Sequence, residues 1–235
     1  MADGYARVTN KPQCVIVHTD VGTQNLGAAV HNASCGHAPV LIFAVLSPYT
    51  INGEYRGSRT EYIHWIQDIP DQKAIVAQYC RYVGEIDRGA NIKYMLNRAL
   101  KFAQSEPKGP VYLYSAHEAI EEEINQYSLD QSRWTAVEPL ALTTSQAIRI
   151  TELLVKAKRP VVISGYSGRV HSIVDALRAL ADAVSGLRLL DTGGSDMNFP
   201  ADHPSWQGFR LGGHSSIKEA DVILVIDCNV PWVPT

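Results

Sequence analysis

The chain has no long apolar run. Its hydrophobic residues make up 46% of 235, yet they nowhere gather into the roughly 20 consecutive positions a membrane helix needs. The basic-then-apolar plan of an export leader is missing at Met1 to Ala6. Cysteine is scarce: Cys14, Cys35, Cys80 and Cys228 are far apart and form no C-x-x-C pair, which argues against a disulfide framework or a zinc ribbon. Three of the four have apolar neighbours and are expected to be buried small hydrophobes in a reducing compartment, cytoplasmic or else mitochondrial. Charge of one sign is also lacking. The 21 basic and 24 acidic residues leave a net charge of −3, with no clustered basic face to track nucleic acid.

What is present is an alternation of short apolar runs and longer helical patterns. Strands are expected at Cys14 to His18, Pro39 to Val45, Tyr82 to Ile86 and Gly109 to Tyr114. Helices are expected at Thr23 to Ser34, Asp71 to Arg81 and Asn91 to Gln104, the last with Ile92, Met95, Leu96, Ala99, Leu100 and Ala103 on one face. Met1 to Ala6 reads as the last turns of a helix. Apolar strands separated by helices predict a parallel α/β sheet.

From Glu121 to Pro139 the sequence turns polar, opening on an acidic run, Glu121 to Glu123, that reads as a solvated face. A second series follows. Ser145 to Lys156 is a helix capped by Thr143 or Thr144, Pro160 to Gly165 a strand, and His171 to Val184 a helix. Leu187 to Asp191 is a strand, Ser216 to Ala220 a helical turn, and Val222 to Asp227 a strand. The expected fold class is α/β, with two parallel-sheet, three-layer domains that both look truncated. Residues 1–125 would form the first domain, 126–140 a linker, and 141–235 the second.

The turn His18-Thr-Asp-Val-Gly-Thr-Gln-Asn25 joins an expected strand to an expected helix. Ligands of open α/β sheets sit outside such strand ends, and Gly22 would let backbone approach one closely; a plain βα connection would look the same. Around this turn the sequence resembles the pyrimidine-binding domain of thiamine-diphosphate enzymes of the acetolactate synthase type. Met1-Ala-Asp-Gly-Tyr-Ala-Arg7 is similar to that family's M-A-x-G-Y-A-R, Lys11-Pro12 to its Lys-Pro, and His18 to Asn25 to its T-S-G-P-G-A-T-N. Gly22 and Asn25 match, whereas Asp20 stands for a glycine and Val21 for the proline. The likeness continues at Ala38 to Ala44, at Trp65-Ile-Gln67-Asp68 and at Gly109-Pro-Val-Tyr-Leu113. In the second series it covers Lys158 to Gly165 and Ala220 to Ile226, where the chain looks like the family's central domain.

The resemblance implies thiamine diphosphate and Mg2+ as cofactors, a 2-keto acid substrate, and a homodimer or tetramer, with no nucleic acid or membrane partner. It implies Val21, Gly22, Asn25 and Gln67 as coenzyme-facing residues. It also implies that this chain is inactive alone. The family's catalytic glutamate precedes M-A-x-G-Y-A-R and has no match here, and neither does the G-D-G segment of the diphosphate-binding domain. A non-catalytic scaffold and a nucleotide-binding α/β protein are the competing readings. Gly165-Tyr-Ser-Gly168 is neither G-x-G-x-x-G nor G-x-S-x-G; by analogy with relatives that bind FAD or a nucleotide, Gly165 and Ser167 are candidate contacts set against a structural turn. His31, Cys35 and His37 match no common zinc spacing. Arg56 and Arg59 read as solvated, and His203 and Trp206 as loop residues.

Overall fold

A computed structural model describes residues 1–59, 68–192, 196–210 and 213–229. The chain divides into two compact units, Met1–Pro139 and Leu140–Thr235.

The first unit opens with α1 (Ala2–Thr9), which ends on Asn10 in the left-handed region at φ 56°, where asparagine tolerates positive φ. Then come β1 (Gln13–His18), α2 (Thr19–Gln24), α3 (Gly27–Cys35), β2 (Val40–Leu46), β3 (Val83–Glu85), α4 (Ile92–Gln104), β4 (Val111–Ala116) and α5 (His117–Ile120). The described strands form one parallel sheet in the order β1-β2-β4-β3. Alternation on β2 and β4 builds two cores. Val40, Ile42, Ala44, Tyr112 and Tyr114 pack with Val30 and Ala33 of α3. Leu41, Val111 and Leu113 face the other way, onto Ala99 and Ala103 of α4. A sheet covered on both faces explains why its central strands read as continuous apolar runs.

The second unit has α6 (Thr144–Lys156), β5 (Pro160–Ser164), α7 (His171–Ala183), β6 (Arg188–Thr192), β7 (Trp206–Arg210), α8 (Ser215–Glu219) and β8 (Val222–Ile226). Its described strands are also parallel, in the order β7-β6-β5-β8. Val162 and Leu189 pack on α6 and α7, while Val161, Ile163 and Leu190 pack toward Ile217 of α8. Thr143 caps α6: its hydroxyl accepts from the Gln146 N–H, and the Gln146 side chain returns to the Thr143 N–H. The expected α/β class, with parallel sheets in three layers, is what forms.

Several elements differ from expectation. The helix expected at Thr23 to Ser34 starts earlier and is two helices, because the Leu26 N–H bonds Thr23 O and tightens the turn between them. Asp71 to Arg81 is two 3-10 turns, Gln72–Ile75 and Ala77–Tyr79, not one helix. Val76 at φ −125° breaks the run, and its fully buried side chain holds it there. Strand β7 was not expected. Gly208 at φ 88° and a register shift against β6 interrupt its alternation. Trp206 therefore opens a strand, and His203 bonds Asp182 at 3.1 Å. The cysteines are not buried as a group: Cys14 and Cys35 are exposed, Cys80 and Cys228 half-buried. Cys14 lies on the outward face of edge strand β1, so apolar sequence neighbours did not imply burial. Burial does push the Cys80 thiol up to about 12. The polar stretch after α5 packs on the first unit: Tyr127 accepts the Lys93 N–H at 2.9 Å, and Tyr94 contacts both Tyr127 and Trp134. No helix among the described residues is long and apolar enough to cross a membrane.

Candidate functional site

The carboxyl ends of β1, β2 and β4 lie side by side. At the first of these, Thr19 adopts φ 48° and turns the chain directly into α2. A β-branched residue with positive φ is strained, so the surrounding packing must hold it. Two contacts do this. A Cβ on Gly22 would stand 2.9 Å from Val17 Cβ, so only glycine lets α2 lie this close to β1. Thr23 is fully buried, and its hydroxyl meets the Tyr112 hydroxyl at 2.9 Å.

Tyr112 belongs to a buried polar network. The Gln72 side-chain amide donates to the Tyr112 hydroxyl at 3.0 Å, to Thr23 Oγ1 at 3.3 Å and to Val45 O at 3.3 Å. Burial raises the Tyr112 phenol above its usual range, and the bonds to Thr23 and Gln72 oppose this. The network ties α2 to β2 and β4, and draws Gln72 inward where a helix had been expected. Sequence reasoning missed it, although two tyrosines inside the apolar run GPVYLY were a usable signal, since buried hydroxyls need partners.

Of the coenzyme-facing residues implied by resemblance, Val21 is 55% exposed and Asn25 is exposed, both on the outer side of the turn. Gly22 is required by packing against Val17, a demand separate from ligand approach. Gln67 lies outside the described residues. Asp20, in the position of a family glycine, is 8% exposed, and its Oδ1 accepts no hydrogen bond among the described residues. For a pyrimidine ring the turn thus offers an apolar side chain and an amide at a strand end. Among the described residues no group of three or more His, Cys, Asp or Glu side chains is placed to hold a metal ion. His31 and Cys35 do meet, Nε2 to Sγ 3.6 Å, on one face of α3.

Beyond β2, β3 and β4 two cavities open. The larger, about 560 Å3, is lined by Tyr49, Gln72, Lys73, Glu85, Asp87 and Tyr114 among others. Lys73 bonds Asp71 at 3.1 Å and lies 5.8 Å from the Tyr114 ring. The smaller, about 360 Å3, is lined by Tyr49, Tyr55, Asp87 and the acidic run. That run is not simply a solvated face: Glu122 bonds Arg88 at 2.6 Å and the Gly89 N–H at 2.5 Å, and Glu123 pairs with Arg56.

In the second unit the strand order reverses beside β5, between β6 and β8. Such a switch point is where open α/β sheets bind ligands. Here it is filled by the chain itself. A Cβ on Gly165 would stand 2.5 Å from Cys228 Cβ, and the Tyr166 N–H donates to Asp227 O at 2.8 Å. Ser167 is 2% exposed and accepts from the Ser164 hydroxyl at 3.2 Å. A Cβ on Gly168 would lie 2.0 Å from Met197 O. Packing therefore accounts for the turn that was a candidate for FAD or nucleotide contact. Nearby, Asn198 is fully buried and bonds Asp191, Gly165 O and the Gly168 N–H. Burial pushes the Asp191 carboxyl up to about 6 against the lowering effect of Asn198.

Comparison with known proteins agrees with this architecture. The family model described as "Thiamine pyrophosphate enzyme, N-terminal TPP binding domain" matches residues 1–75, and "Thiamine pyrophosphate enzyme, central domain" matches 148–235. The "Probable 2-ketoarginine decarboxylase AruI" of Pseudomonas aeruginosa is 26% identical over 96% of this chain and 39% of its own length. The acetolactate synthase of Bacillus subtilis is 24% identical over 96% of this chain and 38% of its own length. The chain thus spans well under half of the relatives it matches. The crystal structure of benzoylformate decarboxylase from Polynucleobacter necessarius superposes with a TM-score of 0.75 at 20% identity, over 100% of this chain and 43% of that one, a likeness of fold. With an N-terminal and a central domain model matched in order on two parallel α/β units, the chain belongs to the thiamine pyrophosphate enzyme family and is acetolactate synthase-like.

Proposed function

We propose that this chain is the pyrimidine-binding and central part of a thiamine-diphosphate-dependent carboligase or decarboxylase acting on 2-keto acids, and that these 235 residues do not turn over substrate by themselves. The observation that carries the reading is the ordered match of the two domain models to the two parallel-sheet units. Support for a 2-keto acid comes from the relatives' names, a 2-ketoarginine decarboxylase and an acetolactate synthase. In this reading Val21, Gly22, Asn25 and Gln67 face the pyrimidine ring of a coenzyme shared with a second copy in a homodimer or tetramer. Thiamine diphosphate supplies carbanion stabilisation when bound, and the protein supplies placement. The turn's part is to hold Val21 and Asn25 outward on a floor made rigid by Thr23, Gln72 and Tyr112.

Lack of turnover is argued from chemistry. The 235 residues hold no match for the family's glutamate and no G-D-G segment, and the described residues offer no metal-binding group. Calorimetric titration of the chain with thiamine diphosphate and Mg2+ tests this. Weak or no Mg2+-dependent binding is expected, with no release of CO2 from a 2-keto acid. Tight, Mg2+-dependent binding would refute the claim of an incomplete site, and tight binding of a flavin or adenine nucleotide would favour the nucleotide-binding reading.

A further inference from the structure

Cys35 closes α3, and it is not an isolated thiol. His31 lies one turn earlier on the same face, with its Nε2 3.6 Å from Cys35 Sγ, inside hydrogen-bond reach for sulfur. Asn32 Oδ1 meets the other ring nitrogen, Nδ1, at 3.4 Å. A carboxamide oxygen only accepts, so Nδ1 is the donor of the neutral ring and Nε2 presents its lone pair to the thiol. Tyr79 packs edge-on against the ring, with centroids 5.6 Å apart and planes at 81°. A nucleophile, a base within reach and a third group that orients the base form the constellation of an activated nucleophile. It lies apart from the coenzyme turn and from the two cavities of the first unit.

Exposure and charge separate Cys35 from the other three thiols. Cys35, His31 and Asn32 are all exposed, so a reagent reaches the sulfur from solvent. Cys14 is exposed as well, but partial burial raises its thiol above the usual range, as it does those of Cys80 and Cys228. Cys228 meets only a main-chain carbonyl, Ile163 O at 4.0 Å, among the bonds of the described residues. α3 carries no carboxylate to repel a thiolate. The Arg7 guanidinium of α1 lies against Gly36, the next residue, where a Cβ would stand 3.2 Å from Nη1. The C-terminal end of a helix disfavours an anion and favours a protonated imidazole. Proton transfer from Cys35 to His31 sets the two new charges in contact, which offsets the first of these effects.

We infer that Cys35 is a thiol–disulfide exchange site that takes a low-mass disulfide, with His31 as the acceptor of its proton. The electrophile follows from the setting. Cys35 lines neither of the two cavities described above, and attack on sulfur, unlike attack on an acyl carbon, needs no oxyanion donors. The thiol proton passes to His31 Nε2, and the thiolate attacks one sulfur of the disulfide. The new S–S bond forms on Cys35 as the old one breaks, and the leaving thiolate takes the proton from the imidazolium. Cys35 is oxidised to a mixed disulfide, and the other half of the reagent is reduced to a thiol. A small thiol runs the same step backwards, so the modification is reversible.

The test needs neither coenzyme nor 2-keto acid, so its failure leaves the carboligase or decarboxylase reading standing. The reduced 235-residue chain is incubated with glutathione disulfide, quenched with acid and mapped by peptide mass spectrometry. At about pH 7, Cys35 should gain a glutathionyl group about tenfold faster than Cys14. His31→Gln keeps a polar side chain at an exposed helix position and should slow Cys35 at least about fivefold. The Cys14 rate, an internal control for folding, should not change in that variant. At about pH 10, above the ordinary thiol range, ionisation no longer depends on the imidazole, so wild type and His31→Gln should converge at Cys35. A purely structural role for His31 would leave the gap in place. Cys14 reacting as fast as Cys35, an unchanged Cys35 rate in His31→Gln, or a gap that persists in alkali would each overturn the assignment.

Discussion

Replacing Tyr112 by phenylalanine removes one oxygen from the floor of the candidate coenzyme turn and nothing else from the core. Thr23 Oγ1 loses its 2.9 Å partner, and the Gln72 amide loses the shortest of its three bonds. Gln72 retains Thr23 Oγ1 and Val45 O, both at 3.3 Å. Two buried hydrogen bonds are lost, while Thr23 and Gln72 keep each other as partners, so the first unit should lose about 2 kcal/mol, within the roughly 1–3 kcal/mol that an unsatisfied buried group costs. Thr23→Val alone should cost a similar amount. Because the two hydroxyls are partners, the double variant should lose about 1 kcal/mol less than the sum. Urea unfolding followed by circular dichroism measures the losses. Hydrogen exchange at residues 111–116 assigns the affected transition to the first unit, which a two-unit chain requires. Losses under about 0.5 kcal/mol, or strict additivity in the double variant, would mean that the network does not hold the turn.

Gly22→Ala should destabilise the first unit by about 1–3 kcal/mol through overpacking on the Val17 Cβ, and Val17→Ala, which keeps that Cβ, should not restore the loss in the double variant. Thermal melts of the three variants check this; a neutral Gly22→Ala would return the glycine to a purely ligand-facing role. In the second unit, Asp191 titrates near 6 when folded against 3.8 for an ordinary aspartate. The folded state therefore binds the proton more tightly, and this group adds stability as pH falls through 6 toward 4, by up to about 3 kcal/mol at roughly 1.4 kcal/mol per unit. The difference between wild type and Asp191→Asn, measured in urea at pH 4 to 7, isolates that contribution from carboxylates such as Asp221, which shift downward; a difference that does not change with pH would refute it.

Much of the fold was legible because burial on both faces leaves its mark in composition. The central strands β2, β4 and β5 carry continuous apolar runs, and α4 repeats apolar residues on one face. Edge elements were less legible. β1 alternates in burial, so Cys14 lies exposed among apolar neighbours, and β7 is interrupted by Gly208 and a register shift. Local spacing also failed at Gln72, where a helical pattern yields to bonds made with residues 27 and 40 positions away.

The sequence alone determined the family, through Met1 to Asn25 and the ordered strands that follow, because motif spacing is a property of the chain. It also determined the α/β class, because period and composition reflect how many faces a segment buries. The tertiary structure decided why particular residues stand in those motifs. Gly22 answers to Val17, Gly165 to Cys228, and Gly168 to Met197, and each is a steric demand from another segment of the chain. It alone brought Glu118 to Thr50, 68 positions apart, and left the other carboxylate oxygen without a donor among the described residues. Hydrogen bonding and close packing act at a few ångströms in space whatever the separation in sequence, so such sites become visible only when the chain has folded.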